Sequence, residues 1–265
     1  MAIELRSRSL QPGEVVLVSL SLDADAASVE VSAFGRRASA YRVAGRRWDA
    51  LVGIDLEQPP GNYTVTARAD GSRVVAEKPF VVRPRTFPTR TLRVNPDFVN
   101  PGPGLQARIQ DEARFTQAIF ASPTTERLWT GAFGRPVPHE ANSSFGTRSV
   151  FNGEKRNPHT GTDFLSPAGT PIHAPGAGRV AAARDLFYSG RTVILDHGLG
   201  VFSQLAHMSR IDVGEGDRVE AGAVVGLVGA TGRVTGAHLH WGLRVAGARV
   251  DPLSLLALMT EDAKK

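Results

Sequence analysis

Two histidines separated by one residue, in the run Gly236-Ala237-His238-Leu239-His240-Trp241-Gly242, are the residues of this 265-residue chain best placed to do chemistry. On an extended strand, residues i and i+2 point to the same face. His238 and His240 therefore project into one space, while Leu239 and Trp241 face the other way and can pack. Two nitrogen ligands side by side on a rigid strand make half of a metal site. The other half lies upstream, in Pro158-His159-Thr160-Gly161-Thr162-Asp163. Pro158 and Gly161 argue against a helix, so a loop entering a strand at Asp163-Phe164-Leu165 is expected. The chain has no cysteine, which excludes disulfides, thiolate nucleophiles and Cys-rich metal sites. Together the two segments read as His, Asp, His: three protein ligands and one open position, the count of a catalytic zinc site.

A further histidine, His207, follows a strand in Gln204-Leu205-Ala206-His207-Met208-Ser209. Water on zinc has its pKa lowered toward about 7, a range in which an imidazole can take or return a proton. The chain has no H-E-x-x-H, so no glutamate base of the helical zincin kind is present. A histidine must fill that role in a hydrolase: His207, or whichever of His238 and His240 is not on the metal. The other histidines read as structural. His139 falls in a loop after Pro138 and is expected at the surface, His173 alternates as a strand residue, and His197 in Asp196-His197-Gly198 looks like a locally bonded turn residue. Arg148 could orient a substrate carboxylate or pair with a core acid.

The elements that must position these residues are mostly strands. Residues 1–83 carry short β-prone runs, Val15–Leu20, Val29–Val31, Leu51–Ile54 and Tyr63–Ala67, separated by the turns Pro12-Gly13, Pro59-Pro60-Gly61 and Asp70-Gly71. That spacing favours an immunoglobulin-like β-sandwich without a reactive set of its own, a spacer or packing domain. Residues 84–129 form a linker, with prolines at 84, 88, 96, 101 and 103, followed by one amphipathic helix over Leu105–Phe120 that reads as a brace between domains. From 130 to 258 short strands return, clearest at Val193–Leu195, Val201–Leu205 and Val224–Val228, punctuated by seven glycines from Gly214 to Gly236. Residues 259–265 are a charged tail. The fold class is mainly β: a sandwich, a short helical linker and an antiparallel β domain.

Composition narrows the function classes. The net charge of +5 reflects arginine, yet no basic cluster interleaved with aromatics and no nucleic-acid-binding motif accompanies it, so no nucleic-acid partner is expected. No run approaches the roughly 20 apolar residues of a membrane span. Met1–Arg6 carry no apolar h-region or signal-cleavage pattern, so the chain is either cytosolic or its export signal lies outside this sequence. The stretch Val213–Gly222 is similar to the hairpin of biotinyl and lipoyl domains, but no lysine occurs between Lys155 and Lys264, which excludes covalent attachment.

Five motifs occur in a specific order: Ser144-Phe145-Gly146-Thr147-Arg148, His159-x-x-x-Asp163, Ala206-His207-Met208-Ser209, Gly229-Ala230-Thr231-Gly232 and His238-Leu239-His240. The series resembles the M23 (lysostaphin/LytM-type) zinc metallopeptidases over roughly residues 130–255. The resemblance implies one zinc ion on His159, Asp163 and His240, with His207 and His238 as the catalytic pair for acid/base work and oxyanion stabilisation. It also implies an exported protein of the periplasm or cell envelope, whose partner is the peptide stems or cross-bridges of peptidoglycan. Members without catalysis, which bind cell wall or activate another hydrolase, typically lose zinc ligands; all three are present here. Two positions depart from the common pattern: Leu205 stands where many members carry Tyr or Phe, and Gly190-Arg191 where many have Gly-Asn. Neither is a ligand, and an altered cleft shape is the expected consequence.

Overall fold

The computed structural model of the chain describes residues 2–70, 73–93, 101–143, 145–155 and 157–262. Ser144, Gly71, Pro96 and the last three residues of the charged tail lie outside them.

The N-terminal part builds two antiparallel four-stranded sheets. One contains β1 (Ala2–Arg6), β2 (Val15–Ser21), β5 (Tyr41–Ala44) and β6 (Arg47–Gly53) in the order β1-β2-β6-β5. The other contains β3 (Val29–Ala33), β4 (Arg36–Ser39), β7 (Gly61–Ala69) and β8 (Arg73–Val82) in the order β4-β3-β7-β8. Alternation explains the layering. Val16, Val18, Leu20, Ala50 and Val52 of the first sheet meet Val29, Val31, Val65 and Ala67 of the second in one core. The opposite face of β2 and β6 is also apolar: Val15, Leu17 and Leu51 pack onto the C-terminal half with Trp129, Leu243, Val245 and Val250.

Two elements depart from the reading of 84–129. Within the Pro-rich linker, β9 (Thr89–Leu92) pairs in parallel with β11 (Arg148–Phe151), which pairs in turn with β12 (Glu154–Lys155). Helix α1 (Pro103–Ala121) has no fully buried residue. Its half-buried Phe115, Ile119 and Phe120 rest on Ala182, Ile194 and Phe202, so it lies against the C-terminal sheet.

That sheet has ten strands. Its main path runs through β10 (Ala141–Ser143), β13 (Gly161–Phe164), β20 (Leu239–Val245), β17 (Val201–Ile211), β16 (Gly190–Gly198), β15 (Gly178–Leu186) and β18 (Arg218–Val219). Strands β14 (Pro171–His173) and β19 (Val224–Val228) join at β17, and β21 (Ala248–Val250) joins at β20. One face carries Phe164, Val193, Leu205, Leu239 and Trp241 into a core completed by Ile172, Val225 and Val228. The other face is covered by α1 at one end and open at the other.

A second helix, α2 (Pro252–Asp262), follows where only a tail was expected from 259. Asp251 starts it, its side chain accepting a hydrogen bond from the Leu253 N–H at 3.0 Å, with Pro252 at the first helical position. Leu255, Leu258 and Met259 bury between the sandwich and the sheet. Polar groups tie the same joint: Arg8 bridges Glu14 and Asp251 at 2.7 Å each, and Thr162 donates to Asp251 at 3.1 Å.

Candidate metal centre

Register brings the two halves of the site together. Asp163 on β13 stands directly opposite His240 on β20, and Gly161 opposite Gly242. Leu239 and Trp241 are fully buried on the far face, as alternation requires, so His240 turns to the open face. His159 precedes β13 in a loop whose ends are pinned: its N–H donates to Thr147 O at 2.9 Å, and its carbonyl accepts from the Gly146 N–H at 2.8 Å. The strand begins at Gly161, two residues ahead of the expected entry, and Leu165 is exposed beyond its end.

Three donor atoms converge. His159 Nε2 lies 3.0 Å from Asp163 Oδ1 and 3.0 Å from His240 Nδ1, and His240 Nδ1 lies 2.9 Å from the same carboxylate oxygen. A triangle this small lets one ion sit at the 2.0–2.2 Å typical of zinc from all three corners. Two imidazoles and one carboxylate are also a donor set that suits zinc. Burial alone would raise the Asp163 carboxyl, but hydrogen bonds from His159 and His240 hold it well below the usual carboxylate range. Burial lowers the pKa of His240, favouring the neutral ring that a metal requires. Gly161 makes the room. A Cβ there would lie 2.6 Å from His240 Cε1 and Nε2 and 2.5 Å from the Trp241 carbonyl oxygen.

The remaining pair of histidines flanks this triangle. His238 Nε2 is 3.8 Å from Asp163 Oδ1, outside the inner triangle, and its Nδ1–H donates to Gly236 O at 2.9 Å. His207 interrupts the alternation of β17. Its neighbour Ala206 pairs with His240 on the open face, so a regular strand would send His207 into the core. A left-handed backbone, φ 65°, turns it instead to the site, where its ring centroid lies 4.8 Å from that of His238 and 5.9 Å from that of His240. The conformation costs on the order of 1–2 kcal/mol for a residue with a Cβ. Its backbone N–H is held by Ser189 O at 2.9 Å, and its Nδ1–H donates to Thr231 O at 2.8 Å. The lone pair of the neutral ring is therefore on Nε2. Burial, and then the neighbouring His240 and His238, push the His207 pKa down to about 3.

Sequence reasoning left Thr231 without a role, although it lay in a quoted motif; its carbonyl fixes the His207 tautomer, and only the folded chain shows it. Arg148, expected near substrate or a core acid, is exposed on β11 and forms no ion pair among the described residues. His197, expected as a locally bonded turn residue, is a strand residue. It is wholly buried on β16 between Ala177 O and Ser203 Oγ, each at 2.9 Å, and burial pushes its pKa down to about 4. His139 is half-buried against Ser166, and His173 bonds Gly222 O. Leu205 is fully buried in the core, so the departure at that position does not shape the cleft. Arg191 is exposed and adjoins the residue that holds His207, its backbone N–H donating to Thr231 Oγ1 at 2.9 Å.

The model of peptidase family M23 matches residues 157–252, which contain all five of these side chains. A crystal structure from Pseudomonas aeruginosa assigned to peptidase M23 is 34% identical, with a TM-score of 0.75 over 94% of this chain and 96% of that one. The chain belongs to peptidase family M23. Among curated relatives, the peptidoglycan DD-endopeptidase ShyA of Vibrio cholerae is 40% identical over 124 residues, 46% of this chain and 29% of that protein. The DD-carboxypeptidase/endopeptidase Mpg of Neisseria meningitidis is 40% identical over 97 residues, 37% of this chain and 22% of that protein. The chain thus spans under a third of the length of these two curated relatives. Its M23 region contains nine of the ten strands of the sheet that carries the His-Asp-His triangle, all but β10. Among the described residues no helix is long and apolar enough to cross a membrane.

Proposed function

We propose that this M23 chain is a zinc metalloendopeptidase that hydrolyses peptide bonds in peptidoglycan stems or cross-bridges. The observation that carries the reading is the convergence of His159, Asp163 and His240 within 3.0 Å, with two further imidazoles beside them. His159, Asp163 and His240 would hold one zinc ion per chain. The chemistry zinc supplies when bound is Lewis-acid polarisation of a carbonyl and acidification of water toward a pKa near 7.

The chain's own residues do the rest. His207, neutral and with Nδ1–H spent on Thr231 O, offers its Nε2 lone pair to accept a proton from the attacking water. His238 uses Nδ1–H on Gly236 O, so Nε2 is its remaining nitrogen, and that atom donates to a developing oxyanion once it has taken up a proton. The rigid strands β13 and β20 keep the ligands in place while the polypeptide substrate lies in the open half of the sheet. The names of the curated relatives support peptidoglycan as the substrate and a site of action outside the cytoplasm, in the periplasm or cell envelope.

Zinc content by mass spectrometry and hydrolysis of purified peptidoglycan test the reading. The wild-type chain is expected to carry about one zinc and release soluble peptides, and His159→Ala to do neither. Retained hydrolysis by His159→Ala would overturn it.

A further inference from the structure

Arg244 carries a charge that no carboxylate among the described residues pairs with directly. It lies on β20, four residues beyond His240 and on the same face, because His240, Gly242 and Arg244 alternate with the buried Leu243 and Val245. Its guanidinium carbon lies over the ring of Phe120, 4.4 Å from the centroid, and the group forms no hydrogen bond or ion pair with any described residue. The group directly opposite, Arg249 on β21, carries the same sign. Arg249 is satisfied: it pairs with Asp55 at 2.6 Å and Glu57 at 2.8 Å. Arg244 is not. Burial, and then Arg249, lower its pKa, with Asp55 offsetting only part of this.

A half-buried cation facing another cation is unfavourable unless something else uses it. The surroundings show where that use lies. Arg244 lines a small cavity with Thr160, Gln204 and Gly242. Thr160 follows the metal-ligand candidate His159, and Gly242 stands two residues from His240 on the same face, so the cavity adjoins the loop and strand that carry those ligands. Gly242 contributes no side chain between His240 and Arg244; it is buried, with Gln204 Cβ 3.6 Å and the Thr160 carbonyl oxygen 3.7 Å from where its Cβ would stand. Phe120 of α1 closes the far end.

We propose that Arg244 is an anion-recognition subsite that holds a carboxylate of a peptide lying extended along β20, about 13 Å from His240 at about 3.3 Å per residue. A planar guanidinium whose N–H groups have no described protein partner offers them as a fork for a bidentate carboxylate. The substrate class is thus a peptide carrying a free acidic group about four residues from the metal along the strand. The inference rests on the peptide-hydrolase reading above.

The test uses the zinc-loaded chain and monomeric stem peptide from peptidoglycan, with its carboxylates free or converted to amides, in titration calorimetry. Wild type is expected to bind the free form at least about tenfold more tightly. Arg244→Met should abolish that preference, and Arg244→Lys, which keeps the charge but not the fork, should retain part of it. Circular dichroism melts of both variants report folding. Equal or undetectable binding of the two forms by wild type, or a preference that survives in folded Arg244→Met, overturns the inference. Hydrolysis of intact peptidoglycan by wild type is measured in parallel. Cleavage without a carboxylate preference removes the subsite and leaves the peptidase reading standing. A preference without cleavage does the reverse.

Discussion

Replacing Gly161 by alanine adds a single methyl group, yet the structure assigns it a large effect on metal binding. The new Cβ would sit 2.6 Å from His240 Cε1 and Nε2 and 2.5 Å from the Trp241 carbonyl oxygen, where ordinary contact begins at 3.4 Å. The carbonyl is fixed in the β13–β20 ladder, so the imidazole must give way by about 0.8 Å, the difference between 3.4 and 2.6 Å. Zinc ligands tolerate about 0.2 Å. The expected result is a loss of zinc affinity of at least about 10–100-fold, the range typical for disturbing the groups that orient a ligand, with overpacking costing about 1–3 kcal/mol of stability. Gly242→Ala is the matched control. It stands opposite Gly161 in the same ladder, but its Cβ would meet His240 Nε2 at 3.5 Å and Gln204 Cβ at 3.6 Å, which is ordinary contact. Zinc affinity is measured by competition with a chromophoric chelator, and stability by thermal melts of the metal-free proteins. If Gly161→Ala binds zinc as wild type does, or if Gly242→Ala weakens it equally, the argument from ligand-ring clearance is wrong.

Three further outcomes follow from the same geometry. His238→Ala and His207→Ala should each keep near-stoichiometric zinc and lose hydrolysis by about 10²–10⁴-fold, the usual range for a positioned acid or base, whereas His240→Ala should lose both; matching zinc contents in His238→Ala and His240→Ala would refute the division. Burial alone would raise the Asp55 carboxyl, but hydrogen bonds from Arg249 hold it at about 2, below its unfolded value of 3.8. Its contribution of about 2 kcal/mol is therefore full above pH 4 and fades as pH falls toward 2; denaturation from pH 7 to pH 2 should show Asp55→Asn with a flatter acid limb, and parallel limbs would count against it. Glu14→Ala removes a 2% exposed carboxylate that pairs with Arg8 and Arg85 and accepts from Ser254 at 2.9 Å. Because both arginines reach solvent, the loss should be about 2–3 kcal/mol in urea unfolding, below the full cost of a stranded buried charge, and no change would refute the joint's importance.

Much of this arrangement is legible in the residues themselves. The run His238-Leu239-His240-Trp241 states its own faces, because two bulky apolar residues on alternate positions can bury only one side of a strand, and both are fully buried. The expected strands at Val15, Val193, Val201 and Val224 lie within β2, β16, β17 and β19, because short runs of β-branched and aliphatic residues bounded by turns favour extended backbone. Helix α2 carried a readable signal that the short-strand reading passed over: Asp251 followed by Pro252 is an N-cap with proline at the first helical position. The strand β9 carried none, since its pairing with β11 joins segments about sixty residues apart, and a proline-spaced stretch gives no alternation to read. Helix α1 could be placed from its apolar spacing, but not the surface it rests on.

The sequence alone determined the donor types, two imidazoles and one carboxylate with no thiolate to compete, and the shared face of His238 and His240. Both are local properties, set by residue identity and the two-residue period of a strand. Tertiary structure decided how the histidines divide. The Asp163–His240 register draws His240 into the triangle and leaves His238 at 3.8 Å. A left-handed residue in β17 brings His207 across from the core face, and the Thr231 carbonyl sets its tautomer. Register, a backbone kink and a distant hydrogen-bond acceptor are all non-local, so no spacing within one segment could contain them.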